Sequence, residues 1–82
     1  MKLPIIKHLQ KNNDAEKLNH TIEVLESFCE HRSVKDHEMD VVGELITNLA
    51  GAVEMDKLVQ EGMSEKDAGN AFAKRVLGSI DQ

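Results

Sequence analysis

The stretch FCEHRSVKDHEMD, residues 28–40, brings a cysteine, two histidines and a run of carboxylates within thirteen positions. These are the residue types of zinc and iron sites. Spacing decides which of them can converge. Cys29 and His31 are two apart, so on a helix they diverge by about 200°. No C-x-x-C, H-x-x-x-H or Glu-x-x-His pair occurs anywhere in the chain, which removes the zinc-finger and di-iron patterns. His37, Asp40 and Glu44 stand at i, i+3 and i+7 on one helical face, and His31 could join them across a turn. They are the metal-ligand candidates. The same residues also suit a solvated helix start, where acids favour the N-terminal dipole, and that reading is preferred: no metal and no cofactor is expected.

Other reactive chemistry finds little footing. Cys29 continues an apolar seam and reads as a small buried residue rather than a reactive thiol. His8 and His20 have no Asp, Ser or Cys at motif spacing. There is no G-x-G-x-x-G, P-loop, G-x-S-x-G or EF-hand loop, so nucleotide, acyl-enzyme and calcium mechanisms have no foothold. Met39 and Met55 read as gap-fillers and Met63 as a turn residue. The expectation is a protein that is not an enzyme.

The elements that must carry these residues are helical throughout. No segment alternates with period two and no Asn-Gly or Asp-Gly pair marks a hairpin, so an all-α chain is expected. Pro4 suits the first turn of a short helix holding Ile5, Ile6 and Leu9 on one side and ending near Asn12. A second helix follows, with Asn13 as cap, Glu16 as its partner, and a seam of Ala15, Leu18, Ile22, Leu25 and Cys29. A long third helix is expected from Val34 to Glu61, capped by Ser33 with Asp36, its seam Met39, Val42, Leu45, Ile46, Leu49 and Val53, stopping at Gly62. Ser64 caps a fourth, whose face is Ala68, Ala71, Phe72, Val76, Leu77 and Ile80. The architecture is a small bundle of three to four helices with one long central helix, a single domain over residues 1–82.

Composition bounds the partners. Forty per cent of residues are hydrophobic and 30% charged, and no apolar run approaches a membrane span. "MKLPIIKHLQKN" has no cleavage signature and reads as structure. A single cysteine makes no internal disulfide, so the cytoplasm is the expected compartment. Net charge is −5, with six acids and no Lys or Arg between Asp36 and Asp56. With only Phe28 and Phe72 as aromatics, nucleic acid is an unsuitable partner. The acidic run is instead an interaction surface, or a counterpart for Lys2, Lys7 and Lys11.

The segments MKLPIIKHL, TIEVLESF, DVVGELITNLAGAVEMDKLVQEGM and KRVLGSID resemble a family of short, uncharacterised bacterial helical proteins, a likeness covering most of the chain. The resemblance implies no catalytic residue or cofactor. It implies a thiol-redox accessory role beside thioredoxin and peroxiredoxin proteins, the rival to a non-enzymatic, self-associating interaction protein. The latter is preferred on length. An unbroken third helix would be roughly 42 Å long, more than a compact chain of this size can cover. It should either kink at Gly51 or project. Gly43, Thr47 and Gly51, at i, i+4 and i+8, form a small-residue stripe on which two copies could pack as a homodimer. A neighbouring helix of the same chain could fill that stripe instead.

Overall fold

The computed structural model describes residues 2–80, the side chains of 77–80 excepted, and the chain is all α with no strand among the described residues. Four helices follow in order: α1 (Leu3–Asn12), α2 (Ala15–Cys29), α3 (Asp36–Gln60) and α4 (Glu65–Ile80). The expected contributions of Leu77 and Ile80 to α4 lie outside the described side chains.

The helix boundaries follow local hydrogen bonding, and two of them correct the sequence reading. At α2 the cap is Asp14, whose Oδ1 accepts the Lys17 N–H at 2.7 Å. Asn13 turns the other way and donates from Nδ2 to the Leu9 carbonyl at 3.1 Å, closing the end of α1. At α3, Ser33 is not the cap, because a turn holds it: the Val34 N–H bonds the His31 carbonyl at 3.1 Å, and the Ser33 N–H bonds His31 Nδ1 at 3.1 Å. The helix therefore starts at Asp36. Lys35 occupies the cap position with no acceptor to offer, so only the return arm of a capping box is made, from the Lys35 N–H to Glu38 Oε1 at 3.0 Å.

The other two signals hold. Ser64 Oγ accepts the Asp67 N–H at 3.1 Å and starts α4. Gly62, at φ 108°, ends α3. The Met63 N–H reaches the Leu58 carbonyl at 3.1 Å and the Gly62 N–H the Val59 carbonyl at 3.0 Å. This paired closure needs a left-handed residue, which glycine supplies without steric cost.

The other three helices all pack on α3. α1 runs parallel to it: the Lys2 N–H donates to Asn48 Oδ1 at 2.9 Å and, eight residues on, Gln10 Nε2 donates to Asp56 Oδ1 at 3.3 Å. α4 runs antiparallel, with Phe72 beside Gly51 and Gly69 beside Met55. The core is Ile6, Leu18, Leu49, Ala52, Val53, Met55, Leu58, Ala68 and Phe72. Burying a side chain of the size of Ile, Leu, Met or Phe stabilises by about 1.5–3 kcal/mol. Met55 thus fills a core gap as its type suggested, and Cys29 is half-buried at the end of the α2 seam.

Gly51 does not break α3, which is one uninterrupted helix of 25 residues. A Cβ at Gly51 would stand 3.0 Å from Ile6 Cδ1 and 3.1 Å from Phe72 Cζ. The glycine is there because α1 and α4 converge on it. Of the two outcomes expected for an over-long helix, projection is the one found. The radius of gyration is 13.7 Å and the extents are 42 × 31 × 16 Å, against about 12 Å for a compact chain of this length.

That projection is uneven. Every buried residue of α3 lies between Asn48 and Leu58 and none between Asp36 and Thr47. α1 meets α3 from Asn48 onward, and the described close approaches of α4 fall at Gly51, Glu54 and Met55. Met39 and Leu45, expected in the core seam, are instead 40% and 48% exposed.

Candidate interaction groove

Two apolar seams run along α3. One, through Val42, Ile46, Leu49 and Val53, carries partly or fully buried side chains along its length. The other was missed in the sequence: Val41, Leu45, Asn48, Ala52 and Met55, at steps of four, three, four and three. Over Asn48, Ala52 and Met55 this second seam is buried. At the first turn of α1 its cover ends, and Val41 and Leu45 continue into solvent, 58% and 48% exposed.

Asn48 marks the boundary. It is buried with both ends of its amide used: Oδ1 accepts the Lys2 N–H at 2.9 Å and Nδ2 donates to the Glu44 carbonyl at 3.0 Å. A polar residue in the midst of an apolar seam was the available sign of such a fixture, because a buried amide must find partners. Here it fixes where α1 begins, and so where the groove opens.

The groove itself holds about 510 Å³. α3 contributes Val41, Leu45 and Leu49, α2 contributes Thr21 and Leu25, and α1 closes it with Ile5 and Leu9. On its lips stand Lys2 and Glu44, paired with each other at 3.8 Å and both largely exposed. The Lys2 pairing is the one N-terminal lysine bridge to the acidic run among the described ion pairs, since Lys11 pairs at 3.6 Å with Glu65 of α4, outside that run. Such exposed pairs contribute about 0–1 kcal/mol.

The other candidate residues are dispersed. His31 lies in the α2–α3 turn, bonded to the Ser33 N–H, while His37 and Asp40 are exposed on α3 and Glu44 faces Lys2. Among the described residues no three His, Cys, Asp or Glu side chains gather as a metal-holding group. The small-residue stripe is divided as well. Gly51 is enclosed by Ile6 and Phe72 of its own chain, so the in-chain alternative holds at that position. Gly43 and Thr47 are exposed, and the Thr47 hydroxyl donates back to the Gly43 carbonyl at 2.9 Å. Gly43 is two residues from Val41, about 200° around the helix, and therefore lies on the side away from the groove.

A family profile matches residues 1–81, nearly the whole chain. The chain belongs to a family of unknown function, DUF6952. Comparison with curated proteins and with solved structures gives no match. Membership in DUF6952 therefore carries no assigned site, and the groove rests on its own geometry. No helix among the described residues is long and apolar enough to cross a membrane.

Proposed function

We propose that this chain is a non-enzymatic, self-associating helical interaction protein whose association surface is the groove between α1, α2 and α3. The observation that carries this reading is the abrupt loss of cover along α3. The same seam that is buried at Ala52 and Met55 is open at Val41 and Leu45. Contiguous exposed apolar surface flanked by polar residues is characteristic of protein contact sites. Ile5 adds to it from α1, and no titratable side chain enters the groove beyond the Lys2 and Glu44 lips. An apolar wall without a polar cluster supports binding over catalysis.

The test is molar mass by light scattering at tens of micromolar, for the wild type and for Leu45→Glu. The wild type is expected to be a dimer. Leu45 is half-exposed, so the variant is expected to fold, to run as a monomer, and to melt at the temperature of the dissociated wild type, lower only by what association contributes. A monomeric wild type would refute the reading.

A further inference from the structure

Resting on the self-association reading, we infer that the occupant of each groove is the outer edge of α2 from a second copy, with Val24 and Phe28 as the inserted side chains. Val24 is 68% exposed and Phe28 47%, the largest apolar exposures on α2. They stand at i and i+4, on one strip of the helix. That strip borders the groove: Thr21 lines the groove wall, and Phe28 lies two turns further on, about 20° from Thr21 around the helix axis. One face of the molecule thus presents the exposed Val24 and Phe28 beside an apolar trough, with Val24 also bordering a shallow depression lined by Glu16, Lys17 and His20. A two-fold rotation with its axis in that face lays each strip into the other copy's trough, closing a dimer with no groove left over.

Charge selects the same occupant. Lys2 and Glu44 on the lips already neutralise each other at 3.8 Å. A basic or an acidic peptide would find no uncompensated charge there, and would leave its own charges facing apolar walls. The α2 edge brings a valine and a phenylalanine, which suit the trough formed by Leu9, Leu25, Val41, Leu45 and Leu49. The arrangement differs from packing one α3 against another, because each contact pairs α2 of one chain with α3 of the other.

Two single-cysteine chains distinguish these arrangements. In the full chain carrying Cys29→Ala, Val24→Cys is made in one batch and Leu45→Cys in another, and a short bis-maleimide is added to each batch and to their mixture. The mixture is expected to give cross-linked dimer at several times the yield of either batch alone. Leu45→Cys linking to itself as well as the mixture does would overturn the strip-in-groove geometry in favour of α3 on α3. A dimeric mass with no cross-link in any batch would overturn it also, leaving self-association intact. A monomeric mass would instead remove the underlying reading. Phe28→Ser in the unmodified chain gives a second readout that needs no change at Cys29. The dimer Kd is expected to rise about tenfold or more, and an unchanged Kd contradicts the proposal.

Discussion

The two halves of α3 have similar apolar content and different fates. From Asn48 to Leu58 the helix is enclosed, with Ala52 and Met55 almost fully buried under α1 and α4. From Asp36 to Thr47 it keeps Met39, Val41, Val42, Leu45 and Ile46, yet not one of its residues is buried. The difference lies in what stands opposite. α1 has 10 residues and α3 has 25, so at about 1.5 Å per residue the short helix covers less than half of the long one. Apolar sequence is necessary for a core, but a core also needs a neighbour of sufficient length. Where the neighbour ends, the same pattern becomes a contact surface.

Substitutions that treat the two halves alike should therefore give unlike results. The largest expected effect is in the enclosed half. Phe72→Ala, which opens a cavity over Gly51, should cost about 3–5 kcal/mol, whereas Val41→Ala in the open half should change monomer stability by no more than about 0.5 kcal/mol. Denaturant unfolding under dilute conditions measures both, and equal losses would erase the distinction. Next in size is Gly51→Leu. Its added side chain meets Ile6 and Phe72, and overpacking of this kind costs about 1–3 kcal/mol.

At the boundary, Asn48→Ala should cost about 1–2 kcal/mol, since the Lys2 N–H loses its acceptor and α1 its fastening. Hydrogen exchange at the first turn of α1 should accelerate in that variant. The smallest effect is of opposite sign. A Cβ at Gly43 meets nothing within 4 Å, so Gly43→Ala should stabilise the monomer by up to about 1 kcal/mol through helix propensity alone. It should also leave the association constant unchanged, because Gly43 faces away from the groove. Weakened association in Gly43→Ala would return the interface to the small-residue stripe.

Much of this fold was legible in the sequence. Four helices, the Ser64 cap, the Gly62 stop and the α2 seam all depend on near neighbours in the chain, and periodicity records those directly. The boundary at Asn13 was misplaced because Asn13 and the adjacent Asp14 competed for one role, and the Asn13 bond to Leu9 decided it. The boundary at Ser33 was misplaced because a turn on His31 holds Ser33 and delays the start of α3 to Asp36. The groove was less accessible. Its second seam, Val41 to Met55, has a heptad-like spacing that the sequence reading passed over, and which part of it is covered depends on where α1 begins along α3. That register is set by Asn48 meeting a backbone N–H 46 residues away, and nothing local encodes it. The i, i+4, i+8 stripe is divided for a related reason. Glycines that share a line on the helix answer to different surroundings, Gly51 to two packed side chains and Gly43 to solvent.

The claim that the open half of α3 is covered by a second copy is tested most directly by hydrogen exchange as a function of protein concentration. Amides from Met39 to Thr47 are expected to gain protection as concentration rises through the association range, while those from Asn48 to Leu58 stay unchanged. Concentration-independent exchange across the whole of α3, up to hundreds of micromolar, would contradict the account.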